Sequence, residues 1–197
     1  MSDASKVFSS LFSNGDIEKG GVSVTSASTN QKDNHGRNLC GDLKIRIDRN
    51  GAWFYHGSPI GRKELVQLFS SVLQRDGENR YWLVTPAEKG RIIVEDAPFM
   101  AVELFAKGRG KEQCLEFRTN IDEFVRANSS HPLKIKENIE TGEPSPYILV
   151  RENLEAKLTR PVFYQLVDLG VEEWIGEANV FGVWSNSEFF EIGKLEE

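Results

Sequence analysis

The chain has 197 residues, 39% hydrophobic and 27% charged, with a formal net charge of −6 at pH 7. This length allows one ordinary domain or two small ones, and the acidic balance argues against nucleic acid or an anionic membrane surface as a partner. Two cysteines are too few for a disulfide framework or a structural zinc site. Because no signal peptide or membrane-spanning run is visible, we expect a cytoplasmic protein without a metal or cofactor.

Residues 1–38 are dominated by Ser, Asn, Gly, Asp and Lys. Their one apolar cluster would place Val7, Leu11 and Phe12 on one face of a helix. We predict a short amphipathic helix tethered by a flexible polar segment. This helix could dock on its own protein, on a second copy or on a partner, so a homo-oligomer stays open.

A β-hairpin is predicted by three features in sequence. Apolar residues alternate from Leu43 to Ile47, Asn50-Gly51 is a turn signal, and three aromatic residues follow it. Beyond a connector rich in Gly and Pro, apolar residues recur at helical spacing from Leu65 to Leu73. Asp76-Gly77 offers a left-handed cap, so we predict that this helix ends there.

Short apolar runs separated by Pro, Gly and charged turns come next, and they predict an antiparallel sheet. The expected strands are residues 81–84, 91–94, 101–105 and 114–118. Two capping pairs, Thr85 with Glu88 and Asn120 with Glu123, each predict the start of a further short helix.

The C-terminal part begins with a predicted strand pair, Tyr147 to Val150 and Ala156 to Leu158. Pro161 then opens a second main helix, which should stop at Gly170. Two final strands are expected, at residues 181–184 and 189–192.

The two main helices align when Arg62 is set opposite Arg160, which also matches Leu65 with Phe163. In each half, a two-stranded piece leads into the helix and a turn leads on to an aromatic strand. This order predicts one strand-helix-strand unit used twice. The expected fold class is α+β, with two small domains.

Arg62 and Arg160 both lie at a helix start, where a cation opposes the helix dipole. One interpretation is structural, namely a salt bridge or carbonyl contact that holds the corner between strand and helix. The other is functional, namely an anion or carboxylate held where the helix N-terminus and the Arg side chain converge. The sequence leaves both open.

Several longer motifs resemble the bacterial family catalogued as domain of unknown function 1285. Those that carry the likeness best are Gly51-Ala52-Trp53-Phe54-Tyr55, Gly57-Ser58-Pro59-Ile60-Gly61-Arg62, Tyr81-Trp82-Leu83-Val84-Thr85-Pro86 and Val94-Glu95-Asp96-Ala97-Pro98-Phe99. The resemblance implies a β-rich, roll-like first domain with an antiparallel sheet and one main helix, an α+β second domain, a repeated motif and a link to signal transduction. It implies no catalytic residue. We place the domains at residues 39–104 and 105–197, after the polar segment.

The leading functional hypothesis is a non-enzymatic binding or regulatory protein that takes a small polar or anionic ligand, or a peptide, in a groove between the two domains. The candidate ligand-binding residues are His56, Arg62, Glu88, Asp96, Arg118 and Arg160. Asp96 is expected to be either a turn residue or the partner of an arginine such as Arg62, Arg118 or Arg151. The alternatives are a hydrolase-like enzyme that uses His56 and a nearby carboxylate, and a protein-protein interaction module.

Overall fold

The computed structural model of the protein describes residues 31–137 and 142–194. These form two compact units, one made of residues up to Asp48 with Ala52–Glu95, and the other of Arg49–Gly51 with the residues from Asp96 onward. The described residues contain fifteen strands and two α-helices. The fold is mostly β, with mixed sheets and a half-barrel, so the prediction of a balanced α+β fold is wrong. The predicted N-terminal helix lies outside the described residues.

Unit 1, the first of these, is a six-stranded sheet with one helix among its described residues. Its elements are β1 (Asn38–Ile47), β2 (Trp53–Tyr55), β3 (Ser58–Pro59), α1 (Lys63–Ser71), β4 (Leu73–Arg75), β5 (Tyr81–Val84) and β6 (Glu88–Val94). The strand order is β3-β2-β1-β6-β5-β4. Strands β1 and β6 pair in parallel and the other neighbours are antiparallel, so the sheet is mixed and not purely antiparallel.

The predicted hairpin of β1 and β2 is confirmed, with Ile45 opposite Tyr55 and Ile47 opposite Trp53. The alternation in β1 buries Leu43, Ile45 and Ile47 on one face. A side chain at Gly90 would place its Cβ 2.4 Å from Leu43, so glycine is needed where β1 and β6 approach each other.

Helix α1 is confirmed, but it ends at Ser71, earlier than predicted. Leu73 instead lies in β4 opposite Leu83, where it is buried as a strand residue. Asp76 and Gly77 belong to the turn between β4 and β5, and the Asp76 carboxylate accepts two backbone N–H groups of that turn. Burial of Leu73 in the sheet therefore overrides the local signal for a longer helix.

Unit 2 contains nine strands, one α-helix and a short 3-10 helix (Gly110–Glu112) among its described residues. These are β7 (Phe99–Lys107), β8 (Cys114–Thr119), β9 (Phe124–Arg126), β10 (Leu133–Glu137), β11 (Pro144–Arg151), β12 (Leu154–Leu158), α2 (Arg160–Asp168), β13 (Val171–Ile175), β14 (Ala178–Ser185) and β15 (Glu188–Lys194). They form a six-stranded sheet, β10-β11-β12-β7-β8-β9, and a three-stranded sheet, β13-β14-β15. The expected α+β second domain is thus mainly β, and the domain boundary placed between residues 104 and 105 falls inside β7.

Neither predicted capping pair begins a helix. The Thr85 hydroxyl does accept the Glu88 N–H at 3.1 Å, but this bond closes the turn between β5 and β6. The Asn120 carboxamide accepts the Met100 N–H, and β9 follows where a helix was expected. A side chain that accepts a nearby N–H can stabilise a turn as well as a helix start, so the local pattern does not distinguish the two.

The two six-stranded sheets share one topology. Each consists of two groups of three antiparallel strands, and the first and sixth strands pair in parallel. In unit 1 the helix lies between the two groups, whereas in unit 2 it follows the second group and leads to the separate sheet. The strand-helix-strand repeat around α1 and α2 stays a prediction. The alignment behind this prediction sets Phe69, which α1 buries, opposite Val167. In α2, however, the buried residue is the neighbouring Leu166.

Hydrogen bonds to a buried serine join the two sheets of unit 2. The Ser185 hydroxyl accepts the Leu115 N–H at 3.0 Å and donates to the Ala127 carbonyl at 2.7 Å. Between α2 and β13, Gly170 lets the Phe181 ring pack directly against the backbone. These contacts hold α2 and β13 in place within unit 2.

Candidate functional site

A cavity of about 360 Å³ lies in unit 2 beside the first turn of α2, and we call it the α2 cavity. Strand β11 and the residue before it supply one wall, and the end of β12 with the first turn of α2 supplies the other. The lining combines proline, leucine and aromatic side chains with a few charged and hydroxyl groups. Its residues are Glu143, Pro144, Ser145, Pro146, Lys157, Leu158, Arg160, Phe163 and Tyr164.

The start of α2 places Arg160 at this cavity. Leu158 is buried at the end of β12, extended Thr159 turns the chain, and Pro161 suits the first helical turn. No side-chain hydrogen bond from Thr159 caps the helix. The Arg160 side chain is exposed and makes no hydrogen bond or ion pair within the part of the chain that the structure describes. A helix start and an arginine thus meet at one wall, where a negative group is favoured.

A second cation, Lys157, is held in the wall by a partly buried network. Its Nζ donates to Asp96 at 2.6 Å, and the Tyr147 hydroxyl donates to the same carboxylate at 2.7 Å. Burial, and then the hydrogen bond to Asp96, raises the pKa of Tyr147 above its ordinary value. The hydroxyl therefore stays protonated at neutral pH and keeps its role as donor.

The charges of the α2 cavity are mixed. Arg160 and Lys157 are positive and Glu143 is negative. Asp96, which is not part of the lining, forms an ion pair with Lys157 and neutralises much of its charge. The described lining holds no histidine and no cysteine. The arrangement can hold an anionic group at Arg160 while prolines and aromatic rings cover an apolar body.

The six residues predicted as a site are divided between the units. Asp96, Arg118 and Arg160 belong to unit 2, and the other three, His56, Arg62 and Glu88, belong to unit 1. Within unit 2 the structure brings Asp96 to Arg160 through Lys157, which contacts Asp96 and lines the cavity. The assignment of the six as ligand-binding residues stays a prediction.

Of the two interpretations of Asp96, the structure agrees with the turn residue, since Asp96 lies in a bend between β6 and β7, and the pairing with Arg118 or Arg151 is wrong. Arg118 donates to Glu103 at 2.7 Å and to Asp122 at 2.6 Å, and these hydrogen bonds raise its pKa. Arg151 pairs with a different carboxylate, that of Glu123. Both arginines therefore join neighbouring parts of unit 2, in line with a structural role.

In unit 1, His56 follows β2 in a left-handed backbone conformation with φ of 48°. Its ring packs edge-on against Tyr55, and within the described residues it makes no hydrogen bond to a carboxylate. Arg62 is the exposed residue before α1, and Glu88 begins β6. The enzyme hypothesis built on His56 stays a prediction.

Sequence reasoning missed Lys157, Tyr147 and Tyr164 as parts of this region. A usable signal existed for Tyr164, since residues four apart share a helix face and Arg160 lies four positions before it. Tyr164 is 63% exposed, which sets it apart from an aromatic residue of the core. Lys157 and Tyr147 carry no such signal, because their meeting with Asp96 is long-range.

Among residues 31–137 and 142–194, no group of three or more His, Cys, Asp or Glu side chains could hold a metal ion. No helix in these ranges is long and apolar enough to cross a membrane. The cytoplasmic location stays a prediction.

Fold and site together define a two-unit, mainly β protein with a mixed-charge cavity beside its second helix. The family model "Domain of unknown function (DUF1285), N-terminal domain" matches residues 34–97, and "Protein of unknown function (DUF1285), C-terminal domain" matches residues 98–192. The chain belongs to the DUF1285 family, as its motifs indicated.

Two crystal structures of family members resemble the chain. A DUF1285 family protein from Silicibacter pomeroyi DSS-3 is 43% identical, with a TM-score of 0.74, over 81% of this chain and 84% of that one. A DUF1285 family protein from Shewanella baltica OS155 is 27% identical, with a TM-score of 0.51, over 64% of this chain and 91% of that one. No curated protein matches the chain.

Proposed function

We propose that the protein is a non-enzymatic binding protein that holds a small anionic ligand with an apolar body in the α2 cavity. The observation that carries this proposal is Arg160, an exposed arginine at the cavity wall with no hydrogen bond or ion pair among the described residues. An arginine without a protein partner keeps its hydrogen-bond donors for a carboxylate or phosphate.

The size and lining of the cavity support a small molecule. Ligand sites commonly measure about 300–1,000 Å³ and are mostly apolar with a few placed polar groups, and 360 Å³ falls near the lower end. The aromatic side chains Phe163 and Tyr164 lie within one turn of Arg160. A planar or aliphatic body can pack on them while the anionic group meets the guanidinium.

Lys157 and the start of α2 would strengthen the same contact. Asp96 and Tyr147 fix the Lys157 ammonium in position, so little side-chain entropy is lost when a ligand arrives. The first turn of α2 adds the positive end of the helix dipole. The proposal includes a regulatory role, in which binding of the ligand is the signal. The family resemblance links such a role to signal transduction.

A thermal-shift comparison of four small probes tests the proposal. The probes share an aromatic ring and differ in charge: benzoate, phenyl phosphate, benzyl alcohol and benzylamine, at equal concentration and ionic strength. A ligand that binds only the folded state raises the apparent Tm. We expect both anions to raise it and the neutral and cationic probes to have little effect.

Arg62 provides a matched control, because it too is an exposed arginine at a helix start but does not line the α2 cavity. We expect Arg160→Gln to remove the shifts caused by benzoate and phenyl phosphate, and Arg62→Gln to keep them. Without a probe, both variants should unfold like the wild type, since exposed arginines contribute little stability. Equal shifts for all four probes, no shift by either anion, or loss of the shift in both variants would contradict the proposal.

A further inference from the structure

Strand β13 forms one edge of the three-stranded sheet. It pairs with β14 along its whole length, from Val171 opposite Gly182 to Ile175 opposite Ala178, without a bulge. No described strand pairs with its outer side. The backbone N–H and C=O groups on that side can therefore receive another strand.

The same edge carries exposed apolar side chains. Trp174 is 68% exposed, Ile175 55% and Val171 40%. Proteins usually protect an open edge with charged residues, proline or a bulge; β13 has no lysine, proline or bulge, and its only charged residues are Glu172 and Glu173. Exposed apolar residues grouped on an open edge indicate a surface that is covered in a complex.

The charge of β13 decides between possible occupants. Glu172 and Glu173 are neighbours in a strand, so they point to opposite faces of the sheet. Glu173 accepts the Trp184 indole N–H at 2.9 Å, and Glu172 accepts from the Asn179 carboxamide at 3.4 Å. Each face of the edge thus presents a positioned carboxylate to an added strand.

These glutamates disfavour a second copy of the chain. Full antiparallel pairing of two β13 strands would set Glu173 opposite Glu173, and like charges directly opposite each other are destabilising. No lysine or arginine lies in β13 to offset the repulsion. A strand with basic residues would meet the same carboxylates with attraction.

We infer that the outer edge of β13 docks an extended, basic segment of a partner protein, which adds to the sheet as an antiparallel strand. Two adjacent lysines or arginines of the partner lie opposite Glu172 and Glu173. Apolar partner residues lie opposite Val171 and Ile175. This surface is separate from the α2 cavity, since no residue of β13 lines that cavity.

Hydrogen exchange with two matched peptides tests the inference. The first is an end-blocked Ser-Val-Thr-Lys-Lys-Val-Ser, and the second replaces both lysines with glutamates. We expect the lysine peptide to slow amide exchange across residues 171–175 and to bind about tenfold more tightly than its glutamate counterpart. Equal protection by both peptides, or none by the lysine peptide, would overturn the inference.

Charge reversal on the protein provides the complementary test. Glu172→Lys should remove the preference between the peptides, because each peptide then meets one opposite and one like charge, and the double change Glu172→Lys with Glu173→Lys should reverse it. Glu177→Lys, the same change in the turn after β13, should keep the wild-type order. Unchanged urea unfolding of both variants shows that their folds are intact. Trp174→Ser should weaken binding through lost apolar contact. Self-association of the wild type that Trp174→Ser abolishes would instead identify a second copy as the occupant, and so overturn the inference.

Discussion

Helices α1 and α2 have an arginine at a similar place and lie in different surroundings. Each has nine residues and follows a strand, and the arginine is the residue before α1, Arg62, or the first residue of α2, Arg160. After α1, the chain continues into β4, which joins the six-stranded sheet of unit 1. Helix α2, by contrast, borders a cavity at its start and is followed by β13, an edge strand of the three-stranded sheet. The shared sequence feature therefore does not by itself place an arginine at a cavity, and the elements around the helix decide what the arginine faces.

The largest effect is expected from removing the core anchors of the two helices. Phe69 and Leu166 are both almost fully buried. Phe69→Ala and Leu166→Ala should each lower the free energy of unfolding by about 2–5 kcal/mol, measured by urea unfolding. Only Leu166→Ala should also weaken the benzoate-induced Tm shift, because Leu166 supports the helix that borders the cavity. Equal loss of the benzoate response in both variants would break the contrast between the helices.

A smaller effect is expected at the two glycines that the sequence indicated as helix ends. A Cβ at Gly170 would lie 2.1 Å from the Phe181 ring, whereas a Cβ at Gly77 meets nothing within 4 Å. Gly170→Ala should cost about 1–3 kcal/mol because the ring must move, and Gly77→Ala should change stability by less than about 0.5 kcal/mol. Thermal unfolding of the two variants measures this difference, and similar values would show that Phe181 yields easily.

The smallest effects are expected in how each unit responds to pH. In unit 1, burial alone would raise the pKa of Asp76, but bonds from the Arg80 backbone, Trp82 and the Arg80 side chain hold it well below its ordinary value of 3.8. The stability that Asp76 contributes is present above about pH 4 and is lost as pH falls further. In unit 2, the raised pKa of Tyr147 gives stability that is present below its ordinary value of 10.0 and is lost as pH rises beyond it.

Unfolding followed across pH in two variants checks these opposite signs. Asp76→Asn should flatten the loss of stability on the acid side, and Tyr147→Phe should flatten the loss on the alkaline side. Each variant should leave the other limb of the profile as in the wild type. A wild-type slope retained on both limbs would mean that other groups control the pH dependence.

Much of the fold could be predicted because its signals are local. The alternation of Leu43, Ile45 and Ile47 identified β1, and helical spacing identified α1 and α2. The misread capping pairs at Thr85 and Asn120 show where local signals end. Thr85 accepts the Glu88 N–H as expected, but in a turn that leads into a strand, whereas Asn120 accepts the distant Met100 N–H and the Glu123 N–H is bound by Thr119.

The candidate site could be predicted only in part. Arg160 was visible as an arginine placed against the helix dipole, and Asp96 as a carboxylate in need of a partner. Lys157 was not visible as that partner, because 61 positions separate it from Asp96 and only the sheet brings them together. The exposed edge of β13 was equally hidden, since a strand pattern does not show which strand will be left at the end of a sheet.

The sequence by itself determined the family, the short strands, the two main helices and an arginine at the start of each. Only the tertiary structure decided that β1 pairs with β6 and β7 with β12 in parallel, that the second unit is mainly β, and that Arg160 faces a cavity. The physical reason is that hydrophobic periodicity and turn chemistry act between near neighbours. Strand pairing and cavity formation instead depend on contacts between residues far apart in the chain, which no local pattern encodes.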